Sequence, residues 1–243
     1  MPSEFSKNPL VDKIEKSLNF IKRNKKMIGF YFLGLIVLIA LLVGYLYYKE
    51  GLEKRAHKDL LVALRVWNSK VIKSATNEDL GKGVFSSEKE KWEHADSVLK
   101  EKYERNKATG IAPIFLAYRV EALLSLGRIA EAIDVQKLLI KHIPTDSDLR
   151  GYNKIKLSLM RIDTGIEKYI KKGLEKLKKL AYEQAEPSKD EALYRLGEYY
   201  WDIKNFKEAA NYWNQLIIKF GKTSKYPSIW VDIAKPKLKT IVV

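Results

Sequence analysis

The chain alternates polar and apolar positions at helical spacing almost throughout, except for one long uncharged run from Met27 to Tyr48. An α-helix rises about 1.5 Å per residue and a bilayer core is about 30 Å thick, so spanning it takes roughly 20 apolar residues. A helix that is apolar on every side must be buried in protein or in lipid. The run therefore predicts a single transmembrane helix over residues 27–48.

The edges of this run distinguish a retained anchor from a cleaved signal. A signal peptide has an apolar core of about 7–15 residues followed by small residues. This run is longer and ends in Tyr-Leu-Tyr-Tyr-Lys-Glu, with tyrosines where an aromatic belt would meet headgroups. A retained anchor is favoured over a cleaved signal and over a buried soluble helix.

The flanking charges predict an orientation. Positive residues prefer the cytoplasmic side of a membrane. They crowd the N-terminal edge of the run, at Lys22, Arg23, Lys25 and Lys26, and are sparser beyond Lys49. The N-terminus is predicted to be cytoplasmic, with the body of the protein on the outer side.

Residues 1–26 are predicted to form a short basic cytoplasmic tail that contains a helix. Asn8 can cap this helix, with Pro9 at its first position. Apolar residues then recur at helical spacing among lysines, at Leu10, Ile14, Leu18 and Ile21. Such a segment either lies on the inner membrane face or simply leads into the anchor.

The anchor also contains two small residues one helical turn apart. Ala40 and Gly44 form a small-xxx-small pair, which lets two membrane helices approach closely. The pair is a candidate site for helix pairing.

Residues 49–243 are predicted to form one all-helical domain. Apolar stripes at helical spacing continue from Leu52 to Trp67 and recur from Trp92 to Tyr103. Prolines then fall at the boundaries of helix pairs, at Pro113, Pro144, Pro187 and Pro227. No stretch alternates with the period of a strand, so no sheet is predicted.

One stretch has the spacing of a helix-hairpin repeat. In "EALYRLGEYYWDIKNFKEAANYWNQLIIKFG", Leu196, Gly197 and Tyr200 lie in the first helix, and Ala209 and Trp213 in the second. This resembles a tetratricopeptide repeat (TPR), in which small residues let two antiparallel helices cross closely.

Further copies follow the same frame with decreasing clarity. The clearest repeats are 113–146 and 190–223, and the first departs from the motif at Val120 and Gln136. Residues 154–187 look like a degenerate copy with Gly173 at the small position, and 51–107 like a terminal hairpin. The predicted fold is a TPR-like α-solenoid of about four helical hairpins with a capping helix over 225–240.

The whole layout resembles a known family. A basic tail, one anchor, degenerate repeats and a closing "WVDIAKPKLKTI" are similar to the bacterial membrane-anchored TPR proteins typified by the ancillary subunit of the Sec translocon. The resemblance implies a single-pass protein of the inner membrane with a periplasmic repeat domain. It also implies partners among translocon subunits, periplasmic chaperones and emerging chains.

The repeat frame also predicts contact residues for protein partners. Tyr194, Glu198 and Trp201 should face the groove formed by the first helices, with Glu121 at the matching place in the earlier hairpin. A groove lined in this way suits an extended or helical peptide. Packing within the repeats is the alternative interpretation of these residues.

Composition narrows the function classes. The absence of cysteine excludes disulfides and thiolate sites. The net charge of +15 suits anionic lipid or nucleic acid, but the lysines alternate with glutamates, which is typical of solvated helix faces. We therefore predict contact with the lipid bilayer through the anchor and no binding of nucleic acid.

No catalytic motif is present in the sequence. His57, His94 and His142 lack the spacing of metal ligands, and "FGKTSK" has Leu216 where a phosphate-binding loop requires glycine. We predict no enzyme activity, no cofactor, no metal and no small-molecule substrate. The predicted function is that of an inner-membrane adaptor; a cytosol-facing import-type receptor and a scaffold subunit of a larger membrane complex are the alternatives.

Overall fold

A computed structural model describes residues 9–72, 83–183, 187–222, 224–225 and 227–241, with the backbone alone for residues 9–12. Within these residues the regular secondary structure is helical apart from two short strands. In chain order the elements are α1 (Pro9–Arg23), α2 (Lys25–Trp67), β1 (Lys70–Val71), β2 (Val84–Phe85), α3 (Glu88–Asn106), α4 (Ala112–Ser125), α5 (Ile129–His142), α6 (Asp148–Ile162), α7 (Glu167–Tyr182), α8 (Lys189–Asp202), α9 (Phe206–Phe220) and α10 (Ile229–Ile241).

The chain divides into two compact units, Met1–Arg55 and Ala56–Val243. The described part of the first unit comprises α1 and the first part of α2. Every residue over 27–48 is exposed. By length and composition, α2 is long and apolar enough to cross a membrane. Asn8, the predicted cap of α1, lies outside the described residues.

The second unit is a row of antiparallel helix hairpins. Each helix from α3 to α10 packs against the next one in sequence. The part of α2 in this unit packs on α3 through the rings of Trp67 and Trp92, whose centroids are 4.8 Å apart. The predicted all-helical fold of repeated hairpins is confirmed.

Two apolar cores fill the row of hairpins. The first contains buried side chains of α2 to α6, including Phe115 and Leu123. The second contains buried side chains of α6 to α10, including Leu193 and Trp213. Helix α6 contributes to both cores, with Met160 in the first and Ile155 in the second. Helix α6 therefore packs on both of its neighbouring hairpins, as expected of stacked repeats.

The turns within the hairpins have a common backbone geometry. Gly127, Gly165 and Lys204 have positive φ angles of 71°, 69° and 60°. At Gly127 and Lys204 the left-handed residue donates its amide to the carbonyl three residues earlier, at 2.9 Å, and the next amide donates to the carbonyl five residues earlier. This is the Schellman closure of a helix C-terminus. Glycine adopts it freely, whereas a lysine is strained there.

Aligning these turns corrects one detail of the predicted repeats. Placing Gly127 on Lys204 also places Ala132 on Ala209, in agreement with the sequence pattern. The same alignment gives the small position of the third hairpin to Ile170, one helical turn before Gly173. Gly173 nevertheless touches α6, because a Cβ atom there would lie 2.6 Å from the carbonyl oxygen of Ser158.

Helix α10 ends the row. It packs against both α8 and α9, and buries Val231 and Ala234. Its other side is exposed and carries polar residues, Asp232 and Lys239 among them, together with Ile229 and Ile233. A terminal capping element leaves one side to solvent in this way.

One observation differs from the expected elements around the first hairpin. Helix α2 ends at Trp67, the last residue of the predicted apolar stripe. Beyond it, the two-residue strands β1 and β2 pair in parallel, although no sheet was predicted. Two residues are too few to give an alternating apolar pattern, so the sequence carries no signal for this pairing.

Candidate protein-binding face

Three of the four predicted contact residues lie on α8, and two of them, Tyr194 and Glu198, are joined by a hydrogen bond. Lys237 of α10 donates to Glu198 Oε1 at 2.8 Å, and the Tyr194 hydroxyl donates to the same oxygen at 2.7 Å. Arg195 Nη1 donates to Glu198 Oε2 at 2.8 Å. Both oxygens of this carboxylate are thus bonded within the chain.

The pKa values of this cluster reflect the same contacts. Burial by itself would raise the pKa of Glu198, but the hydrogen bonds from Lys237, Tyr194 and Arg195 outweigh burial and hold the pKa below its usual range. Burial would lower the pKa of Lys237, but its bond to Glu198 raises this pKa above the ordinary value. Each charged group therefore stabilises the charged form of the other.

Tyr194 and Trp201 lie in less open places than the repeat pattern predicts. Tyr194 is only 3% exposed, and its ring stacks on Trp230 of α10 with centroids 4.8 Å apart. Trp201 is half-buried against Phe206 and Trp213, at 5.1 and 5.7 Å. Helix α10 covers this part of the groove because burying large aromatic surfaces is strongly favourable. Partner binding by these residues remains a prediction.

Glu121 has a matching environment in the earlier hairpin. It lies on α4 at the position that corresponds to Glu198, and it accepts a hydrogen bond from Lys156 Nζ of α6. Its side chain remains about half exposed. Of the predicted contact residues on the first helices, Glu121 is therefore the most accessible carboxylate.

The two pairs show a recurring link between successive first helices. Glu121 joins α4 to α6 through Lys156, and Glu198 joins α8 to α10 through Lys237. Helix α10 therefore takes the place of a first helix in a further hairpin. Neither lysine was predicted from the sequence. The pattern that could have indicated them is a glutamate on one first helix and a lysine on the next first helix, 35 residues later for Glu121 and 39 residues later for Glu198.

Inside the hairpins, a glycine and a tryptophan form a matched pair. A Cβ atom on Gly197 would lie 2.2 Å from Nε1 of Trp213, so only glycine leaves room for this ring. The indole also donates to the Tyr194 carbonyl oxygen at 3.2 Å. In the earlier hairpin the corresponding residues are Val120 and Gln136, both fully buried. Compared with the later hairpin, the first helix of the earlier one has a larger residue, valine for glycine, and its second helix has a smaller one, glutamine for tryptophan.

Buried polar clusters hold the first hairpins together. Asp96 of α3 accepts from Arg119 of α4 at 2.7 Å and from Arg128 at 3.1 Å. Asp59 of α2 accepts from Asn106 of α3 at 2.7 Å. Each carboxylate is nearly buried and bonded to a neighbouring helix, which is how buried charges are tolerated. These clusters account for packing between hairpins.

The described residues contain no group of three or more side chains that could hold a metal ion. His142 instead shares a hydrogen bond of 2.9 Å with the Tyr103 hydroxyl, and His94 packs on Phe85. A cleft of about 1190 Å³ lies beside Leu61, Leu64 and Phe85 and is mainly apolar.

The predicted helix-pairing residues lie in the exposed apolar run of the first unit. Ala40 is exposed, and a Cβ atom on Gly44 would meet no other atom within 4 Å. Pairing of two anchors through this pair remains a prediction.

No protein-family model matches the chain, and no curated protein matches it. Among solved structures, the chain is similar to a crystal structure of nearly identical TPR-like repeats from a Podosopora anserina protein assigned as a kinesin light chain. The two are 14% identical, with a TM-score of 0.47, over 62% of this chain and 77% of that one. The TPR-like character of this chain is carried by its own hairpins, turns and shared cores.

Proposed function

We propose that this protein is a non-enzymatic, membrane-anchored adaptor whose helical repeats bind other proteins. The observation that carries the proposal is the presence, on one chain, of a fully exposed apolar helical segment over 27–48 and a unit of stacked hairpins from Ala56. The exposed apolar surface needs lipid, because leaving it in water is costly. Stacked hairpins present extended surfaces that suit protein partners.

The mechanism is tethering. An anchor fixes the repeat unit at one membrane surface and raises the effective concentration of whatever the repeats bind there. The half-exposed Glu121 and the half-buried Trp201 are the contact residues proposed for this task. Repeat domains bind through surface shape, so the fold alone does not specify the partner.

We assign the repeats to the outer side of a bacterial inner membrane and the N-terminus to the cytoplasm. The basic edge of the apolar run supports this orientation. The layout that resembles the ancillary subunit of the Sec translocon supports translocon subunits, periplasmic chaperones and emerging chains as the partners.

Protease protection tests the orientation. The chain is given a C-terminal epitope and expressed in a bacterium, and intact spheroplasts are treated with protease. The epitope should be lost, while a cytoplasmic control protein survives. Survival of the epitope until the membrane is lysed would overturn this topology and favour a cytosol-facing import-type receptor.

Photo-crosslinking in native membranes tests the partners. A crosslinking amino acid replaces Trp201 or Ala40, and Ile218, which is 81% exposed on α9, serves as the control position. Position 201 should capture chaperones or emerging chains, and position 40 translocon subunits. Co-purification in mild detergent with one fixed assembly that lacks the translocon would indicate a scaffold subunit.

A further inference from the structure

Helix α1 carries an apolar stripe that no part of the chain described by the structure covers. Ile14, Leu18 and Ile21 are 58%, 49% and 50% exposed. Their spacing of four and three residues places all three on one side of the helix. An exposed stripe of this kind on a short helix indicates a surface that is covered by another molecule.

The rest of α1 and its junction with α2 is basic. From Asp12 to Lys26 the chain contains two acidic and six basic residues, the latter being Lys13, Lys16, Lys22, Arg23, Lys25 and Lys26. A helix with an apolar side and a lysine-rich remainder is typical of segments that lie in the plane of a membrane interface. Its charge complements anionic headgroups.

The junction between α1 and α2 allows a change of direction. Helix α1 ends at Arg23 and α2 begins at Lys25. Asn24 donates both its backbone amide and its side-chain amide to the carbonyl oxygen of Phe20, each at 3.0 Å. A side chain that competes for a helical carbonyl weakens the ladder and favours a bend. Asn24 lies three residues before the apolar run begins at Met27.

We propose that α1 is an interfacial helix that binds anionic phospholipid headgroups. Ile14, Leu18 and Ile21 face the acyl chains, and the lysines and arginine contact lipid phosphates. The proposal rests on the proposed anchor, because α2 brings α1 to the membrane surface. A coiled coil with a second copy is less favoured, since α1 offers only about two heptads, and isolated helices of this length are marginal.

Spin labelling of the full chain tests this placement. The sequence has no cysteine, so a single cysteine can be introduced and labelled without background. Labels are placed at Leu18 and at the matched control Asn19, which points about 100° away on the same helix. A third label, at Ile39, reports on the anchor. The chain is reconstituted in bilayer discs of phosphatidylcholine alone or mixed with phosphatidylglycerol.

Accessibility to oxygen and to a water-soluble nickel chelate gives the depth of each label. In anionic discs the label at 18 should be oxygen-accessible and that at 19 nickel-accessible, with a weaker contrast in neutral discs. Equal nickel access at 18 and 19, with the label at 39 deep in the bilayer, would overturn the proposal and leave the anchor intact. A nickel-accessible label at 39 would overturn the anchor itself.

Two further outcomes would also overturn the proposal. Dipolar broadening between labels at 18 that is independent of lipid would show pairing with a second copy. Protection of position 18 from the nickel chelate that is equally strong in neutral discs would show that headgroup charge does not contribute to binding. Replacing lysines 13, 16 and 22 by glutamine should lower the equilibrium constant for binding of α1 to anionic bilayers about fivefold per lysine.

Discussion

At the scale of single residues, Lys204 is a position where the residue type does not match the backbone conformation. It has a φ of 60° in a turn where the corresponding residue of the earlier hairpin is Gly127. A non-glycine residue in this region is strained by about 1–2 kcal/mol, because Cβ crowds the following carbonyl. The backbone hydrogen bonds of the turn hold the lysine there despite the strain.

Lys204→Gly should therefore stabilise the protein. We expect a gain of about 0.5–1 kcal/mol in the free energy of unfolding, since relief of strain exceeds the added entropy of the unfolded chain. Denaturant titration followed by tryptophan fluorescence measures this gain. Lys204→Ala is the control, because alanine keeps the strain. An equal gain in both variants would assign the effect to loss of the lysine side chain.

Gly197→Ala should have the opposite effect. Its new Cβ would overlap the Trp213 ring, and overpacking of this kind costs about 1–3 kcal/mol. At Gly51, a helical glycine with open space around it, the same change should stabilise by about 0.5–1 kcal/mol. Combining Gly197→Val with Trp213→Gln copies the earlier hairpin and should recover part of the loss. A neutral Gly197→Ala would contradict the close contact.

At the scale of elements, the attachment of α10 to α8 depends on one ion pair with aromatic support. Lys237 bonds Glu198, and its ammonium lies 5.4 Å from the Tyr194 ring centroid. Lys237→Met keeps the alkyl stem and removes the charge. We expect a loss of about 1–2 kcal/mol and faster amide exchange in α10. Lys239→Met, on the exposed side of the same helix, should change neither.

The same pair predicts a dependence of stability on pH. The pKa of Glu198 is lowered in the folded state, so its contribution is complete above the unfolded pKa of about 4.3 and is lost as pH falls through the folded pKa. Burial raises the pKa of Glu191, which acts in the opposite direction. Wild type and Glu198→Gln should therefore be compared at each pH. Their difference in unfolding free energy should shrink on acidification, and a constant difference would contradict the assignment.

At the scale of the whole molecule, the chain consists of two units that differ in where their apolar side chains lie. The described part of the first unit exposes apolar side chains over 27–48. The second unit buries its apolar side chains in two shared cores. The proposed lipid environment therefore concerns the segment over 27–48, because apolar surface left in water is unfavourable.

A fragment of residues 49–243 should therefore be soluble and folded. We expect the helical circular dichroism of stacked hairpins and a cooperative thermal transition, because the cores lie within this fragment. The full chain should stay in the membrane pellet after alkaline carbonate extraction. A fragment that pellets or melts without cooperativity would show that the repeats depend on the first unit.

Much of the fold followed from periodicity alone. The apolar run, the stripe from Trp92 to Tyr103 and the spacing of Leu196, Gly197 and Ala209 are local patterns, and local patterns determine helices. The turn at Gly127 carries the residue that adopts a positive φ most freely. The turn at Lys204 carries no glycine, so no residue preference in the sequence indicates the left-handed backbone there.

The environment of the candidate site was decided by tertiary structure. The sequence placed Glu121, Tyr194 and Glu198 on first helices, and this depended only on helical spacing. The exposure of those side chains to solvent depends on which later helix packs beside them. Lys156 and Lys237 arrive from 35 and 39 residues away, and α10 closes over Tyr194. Such long-range contacts depend on side chains filling shared space, which periodicity does not record.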